Sequence, residues 1–317
     1  MTHIQAVPTL ATHNGKFHCD EVFAYAVLRL AMNLSTPGND HILLRTRKQD
    51  LIEAADIVWD VGFVFAATLA RFDHHQRGAP LRADGTPYSS AGLVWQVYGE
   101  RAVAALLRPS RSEAFAAAIA AELDETVVRR IDELDNGIAT DSQVQRDSLS
   151  LGTLIGDFNP TWDADANNLQ AADAAFLQAA ELVLGILHRR VDGLRARLAA
   201  ETSVLTAHRN GEDPRILVLD RGMPWKNVVF THNLPVLFTA SPAMNGNWML
   251  DTVPPEPGSF AQRLPLPEAW AGLQSAELAA ETGVPDAVFV HLRRFVGAAK
   301  SREGAIALAR IALEGAA

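Results

Sequence analysis

Short apolar runs alternate along this chain with longer stretches of helical periodicity, and this alternation restricts the fold more than any other feature. "VPTLATH", "HILLRTR", "ADIVWDVG" and "LARFDHH" read as strands. "CDEVFAYAVLRLAM" reads as an amphipathic helix, because Val22, Tyr25, Ala26 and Leu30 share one face at helical spacing. From Glu113 to Leu134 and from Asn167 to His208 the sequence is Ala/Leu-rich and helical, and "DPRILVLD" restarts strand structure after the Asn210-Gly211 turn. The final helix, "SREGAIALARIALEG", has Ser301 in position to cap it and Glu303 in its first turn. Strands interleaved with helices define an α/β protein with a mainly parallel sheet flanked by helices. At 317 residues the chain exceeds what one core usually serves, so two domains are expected. The predicted boundary lies near residues 200–212, with a long helix joining residues 1–205 to a smaller α/β domain of residues 206–317.

Histidines and carboxylates crowd the predicted strand ends. "THNGKFHCDE" sets His13, His18 and Asp20 in the loop between the first strand and first helix, at the sheet edge where open α/β folds bind ligands. That spacing lets a loop fold around one hard or borderline cation; an Asx turn with an N-cap accounts for the same residues without a ligand. Asp60 ends the "IVW" run. In "RFDHHQRG", Asp73, His74 and His75 are consecutive and lead into a donor-rich turn containing Arg77. Adjacent histidines there can divide metal and substrate contacts, with Asp73 as a partner that orients one of them. "IDELDNGI" places Asp132 and Asp135 on one side of a helix end, rivals for a single role, before Asn136-Gly137 closes the helix. Together His13, His18, Asp20, Asp60, His74 and Asp135 are the ligand count that two adjacent metal ions need when one carboxylate bridges them.

Composition narrows the partners. A net charge of −9 argues against an extended duplex-DNA surface, and no run approaches 18 uncharged apolar residues, so no membrane span is expected. Without a signal or transit pattern, the cytoplasm is the expected location. A single cysteine, Cys19, excludes an internal disulfide and a multi-cysteine zinc site. Neither a His-Glu-x-x-His helix nor a Gly-x-Ser-x-Gly elbow is present, so peptide hydrolysis has little support. The oligomeric state is not legible.

The order of these motifs resembles the DHH phosphoesterase superfamily, named for the Asp-His-His found here at Asp73 to His75, which includes RecJ-type exonucleases and family II inorganic pyrophosphatases. With "DVG", "FDHHQ", "LDNGI", "MPWK" and "FVHLRRFVGAAKSREGA", nearly the whole chain more closely resembles the melanocyte-proliferating-gene exonuclease family, some bacterial members of which carry the label metal-dependent protein hydrolase. The resemblance implies a DHH-type N-terminal domain in which His13, His18 and Asp60 hold one divalent cation. Asp20, Asp60, His74 and Asp135 would hold a second, Asp60 would bridge, and His75 would face substrate phosphate. Asp60, His74 and His75 are then the catalytic set. The wider superfamily pattern, His-x-x-x-Asp-x-Asp, is altered because His18 replaces the first Asp and the spacing grows by one. An imidazole in place of an oxygen donor shifts preference from Mg²⁺ toward Mn²⁺. The second domain is expected to bind substrate through Arg221, Lys226, His291, Arg293, Arg294 and Lys300, with Arg77 from the first. Trp225 and Trp270 are either base-stacking or core residues. The implied activity is stepwise 3′-to-5′ hydrolysis of single-stranded RNA or short oligonucleotides. Two alternatives stand beside it: a nucleotide or pyrophosphate phosphohydrolase, and a non-catalytic metal- or RNA-binding module.

Overall fold

The structure is a computed structural model describing residues 7–138, 149–164 and 168–315. It divides into two compact units, Met1–Arg195 and Ala196–Ala317. The first begins with β1 (Thr9–Thr12), α1 (Cys19–Met32), β2 (Ile42–Arg45), α2 (Gln49–Ala54), β3 (Ile57–Trp59), β4 (Phe65–Ala66) and β5 (Arg71–Phe72). The sheet order is β2-β1-β3-β5-β4, parallel except for β4, which runs antiparallel along β5. Ala11 pairs with Leu44 on one side and Val58 on the other. Leu10, Ala11, Val58, Trp59 and Phe72 are all buried, as strands covered on both faces require. The α/β expectation therefore holds in this unit.

Helix α1 is apolar around nearly its whole circumference, with every residue from Asp20 to Arg29 buried, which makes it a core helix. It packs on α3 (Ser90–Leu107), stacks Tyr25 on Trp59 with ring centroids 6.1 Å apart, and ends at Asn33 in the left-handed conformation. Each such side chain contributes about 1.5–3 kcal/mol by burial, so the helix start and the strand ends beside it sit on a stiff base. Next come α4 (Ala116–Leu123), a π-helical turn at Asp124–Val128, α5 (Arg129–Asp135), α6 (Leu151–Gly156) and the long α7 (Leu169–Asn210). By length and composition α7 is apolar enough to cross a membrane. Its first half instead supplies core: Phe176, Ala179, Ala180 and Val183 are fully buried, Phe176 meets Phe17 edge-on, and Arg45 and Arg29 pair with Asp173 and Glu181.

The second unit contains β6 (Ile216–Val218), α8 (Lys226–Thr231), β7 (Phe238–Pro242), β8 (Trp248–Thr252), α9 (Ser275–Thr282), β9 (Ala287–Val290), β10 (Val296–Ala299) and α10 (Arg302–Glu314). Its sheet order is β6-β7-β8-β10-β9; β6 and β7 are parallel, and the remaining pairs are antiparallel. Ser301 caps α10 by accepting the Gly304 N–H at 3.0 Å. Trp270 lies buried in the core with Phe238, Leu250 and Leu308, and Trp225 in a second cluster with Leu217 and Val229. Neither indole has a free face for a base, because each fills apolar space that a smaller residue would leave empty.

Candidate metal centre

The carboxyl ends of β1, β3 and β5 and the start of α1 converge on one cluster of histidines and acids. The loop after β1 is pinned by Asn159, which accepts the Phe17 N–H at 2.9 Å and donates to the Phe17 carbonyl at 2.8 Å. His18 is the N-cap of α1, and its N–H donates to Glu21 Oε2 at 3.2 Å. His13 donates through Nδ1 to the Asn14 carbonyl at 3.1 Å. Its Nε2 lies 2.6 Å from Glu21 Oε2 and 3.2 Å from Asp60 Oδ2. Asp60 is held in left-handed backbone, φ 55°, and brings its other oxygen within 3.3 Å of His74 Nε2, which is 3.4 Å from Asp135 Oδ2. Asp20 is buried and accepts from Ser90 Oγ at 2.7 Å.

These contacts gather into overlapping groups whose donor atoms lie within 4.8 Å of one another: His13, His18 and Glu21; Asp20, Glu21 and Asp60; His18, Asp20 and Asp135; Asp60, His74 and His75. All six residues expected from the sequence to hold metal are in this one cluster. Glu21 is the residue the sequence reading missed. Its spacing from His18 marks a helix-start capping box, a local signal, whereas its complete burial against His13 arises only when β1 and α1 pack.

Three oxygens, Asp20 Oδ1, Glu21 Oε1 and Asp60 Oδ1, are buried without a hydrogen-bond partner. Leaving such an acceptor unsatisfied costs about 1–3 kcal/mol, and more when it is charged. The donor set suits divalent cations, which would satisfy all three at once. Protons otherwise take that place. Burial, then the charges of Asp60 and Asp135, raise the Asp20 carboxyl well above its ordinary range; burial raises Glu21 to about 7, against the opposing pull of His13. Burial alone would lower His13, but its hydrogen bonds to the Asp60 and Glu21 carboxylates raise it to about 10. At Asp60 burial is outweighed by His13 and His74, which hold its carboxyl below the ordinary range. Burial also raises Asp135. Cys19, half-buried beside these groups, has its thiol pushed up by burial and by the charges of Asp20 and Asp135, which removes it as a nucleophile.

Asp73 stands one step back. Its Oδ1 accepts the His75 N–H at 3.0 Å and lies 2.7 Å from His75 Nδ1, and its Oδ2 accepts the Phe63 N–H at 2.6 Å. His75 is half-exposed, its Nε2 has no hydrogen-bond partner among the described residues, and the Asp73 hydrogen bond raises its pKa. Asp132 is directed elsewhere: its Oδ1 accepts from Ser89 Oγ at 2.7 Å, and Arg82 contacts it at 2.7 Å while forking onto Asp124. Of the two rivals on α5, only Asp135 therefore joins the cluster. Arg77 is exposed on the following loop.

The expected substrate contacts belong largely to the second unit. Arg221, Lys226, His291, Arg293 and Lys300 are exposed, Lys226 with its ammonium 5.6 Å from the Trp225 ring. His291 and Arg294 form the tight β9–β10 connection: His291 Nδ1 accepts the Arg293 N–H at 3.0 Å, and Arg294, at φ 60°, donates its N–H to the His291 carbonyl at 2.7 Å and Nη1 to Leu266.

A family model described as "Uncharacterised protein family (UPF0160)", MYG1 exonuclease, matches residues 9–313. A MYG1 protein of Caenorhabditis elegans is 36% identical over 332 residues, covering 96% of this chain and 95% of that protein. MYG1 exonucleases of Bos taurus and Homo sapiens are each 33% identical, covering 98% of this chain and 86% and 87% of theirs. The crystal structure of RecJ in complex with Mn²⁺ from Thermus thermophilus aligns over 97% of this chain and 52% of that chain, with 16% identity and a TM-score of 0.28, too weak a likeness to argue from.

Proposed function

Because this chain belongs to the MYG1 exonuclease family, we propose that it is a metal-dependent phosphoesterase that removes nucleotides one at a time from the 3′ end of single-stranded RNA or short oligonucleotides. The observation that carries the metal-dependent part is the trio of buried oxygens on Asp20, Glu21 and Asp60 that accept no hydrogen bond, in one cluster with His13 and His74. Two divalent cations, Mn²⁺ in preference to Mg²⁺, would be held by His13, His18 and Asp60 with Glu21 adjoining, and by Asp20, Asp60, His74 and Asp135, Asp60 belonging to both sets. When bound, such a pair supplies hydroxide at neutral pH and neutralises phosphoryl charge.

The chain's own residues do the rest. Asp73 fixes Nδ1 of His75 and favours its cationic form, so Nε2–H is aimed as a donor to a phosphoryl oxygen. The Asn14 carbonyl takes the His13 Nδ1–H, which leaves Nε2, facing Glu21 and Asp60, as the atom that would meet a cation. Arg77, Arg221, Lys226, His291 and Arg294 hold the substrate backbone; residues 1–205 serve as the metal-binding part and 206–317 as the substrate-binding part. The test uses purified full-length protein, 5′-labelled single-stranded RNA and a denaturing gel. Chelation should abolish cleavage, added Mn²⁺ should restore it at least as well as Mg²⁺, and products should shorten by single nucleotides. Phosphate release from mononucleotides or pyrophosphate without a ladder would replace this reading by a small-substrate hydrolase. Mn²⁺-dependent thermal stabilisation with no bond cleaved would make the protein a binding module.

A further inference from the structure

Phe63 holds a strained backbone position while its side chain stays mostly exposed. It closes the turn after β3, where the backbone is left-handed at Asp60 (φ 55°), Gly62 (φ 100°) and Phe63 itself (φ 58°). Glycine takes that conformation freely, whereas a bulky side chain there is a steric outlier of the kind that persists only when neighbouring contacts enforce it. The enforcing contact is Asp73, whose Oδ2 accepts the Phe63 N–H at 2.6 Å while its Oδ1 holds His75. One carboxylate thus fixes both residues. The ring gains little burial in exchange, since 70% of Phe63 is exposed. It stands edge-on to His75 with centroids 6.3 Å apart at 66°, and His75 Nδ1 is 3.7 Å from Asp60 Oδ1.

We propose that Phe63 is the stacking platform for the nucleobase next to the scissile phosphate. The inference rests on the exonuclease reading and adds the substrate class, a phosphodiester that carries a base on the Phe63 side. The Phe63 ring lies 6.3 Å from the His75 ring, within reach of the sugar and base that extend from a phosphate held at His75. A flat apolar ring offers no hydrogen-bond donor or acceptor, so it accepts every base through its π-face and selects for the presence of a base, not its identity. The left-handed backbone and the Asp73 hydrogen bond fix where the exposed ring starts, beside His75.

The experiment compares a dinucleoside monophosphate with analogues lacking one or the other base, cleaved by the Mn²⁺-loaded wild type, Phe63→Gly and Phe63→Trp. Wild type should prefer the substrate with both bases over one of the two abasic analogues. Phe63→Gly should reduce that kcat/KM ratio about 10- to 100-fold, mainly through KM, and Phe63→Trp should preserve it. Mn²⁺ affinity should not change. Because glycine relieves the left-handed strain, Phe63→Gly should keep or raise the Tm, whereas a structural role predicts a fall. A wild-type enzyme indifferent to base removal, or a Phe63→Gly ratio equal to wild type, overturns the proposal. Failure of wild type to cleave any of the three substrates overturns the exonuclease reading instead.

Discussion

Adjacent histidines in this protein have separate surroundings. His74 is nearly buried between Asp60 and Asp135, whereas His75 is half-exposed and hydrogen-bonded to Asp73. Replacing each by alanine should therefore give different losses. His74→Ala deletes a donor from the cluster, so Mn²⁺ affinity should fall and excess Mn²⁺ should restore part of the activity. His75→Ala removes none of the six residues assigned to the cations; its kcat should drop by a factor corresponding to about 2.7–4 kcal/mol, by analogy with the loss of one transition-state hydrogen-bond donor, with Mn²⁺ titration unchanged. Metal stoichiometry and activity measured against Mn²⁺ for both variants decide the matter, and exchanged phenotypes would reverse the two roles. "DHH" identifies the pair in the sequence, but which histidine faces acids and which faces solvent depends on the direction in which the chain leaves β5.

Among the elements, α5 shows how an ion network supports the site from behind. Arg82 is buried between Asp124, on the π-helical turn, and Asp132, on α5, and Asp132 also accepts from Ser89 at the N-cap of α3. The next residue, Ser90, donates to Asp20. Through these contacts the loop after the Asp-His-His stretch, the start of α3 and the helix bearing Asp135 are fixed to one another. Arg82→Met removes the cation and leaves the buried Asp132 carboxylate without its counter-charge, so unfolding stability should fall by about 3–5 kcal/mol. Urea denaturation of the metal-free protein measures this, and a loss below about 1 kcal/mol would show that the network contributes little. Asp132 was the rival that the sequence left open for the role given to Asp135. Helical spacing brings Asp132 and Asp135 to the same side, and only the position of Arg82, far away in sequence, separates a structural acid from a candidate ligand.

At the scale of the whole molecule, the clustered acids make stability depend on metal and pH together. Saturating Mn²⁺ at 100 times its dissociation constant should stabilise the folded chain by about 2.7 kcal/mol, seen as a rise in Tm that chelator reverses. In the metal-free protein His13 titrates near 10, above the unfolded value of 6.5, so its cationic contribution to stability is complete below pH 6.5 and is lost as pH rises through about 10. A cation bound at His13 would have to displace that proton. Apparent Mn²⁺ affinity should therefore rise about tenfold per pH unit between about pH 7 and 8.5, with proton release detected by calorimetry in buffers of different ionisation enthalpy; a pH-independent affinity would exclude His13 as a ligand. The sequence by itself determined the α/β class, the α1 and α10 helices and the crowding of ligand-type residues at strand ends, because periodicity, capping and turn chemistry act over a few neighbouring residues. Only the tertiary structure decided that Glu21 joins the cluster, that Asp132 leaves it for Arg82, that Trp225 and Trp270 are core, and that Phe63 stands strained beside His75. Each of those outcomes turns on which distant charge or apolar surface lies within a few ångströms, and local sequence carries no record of that until the strands have taken their order.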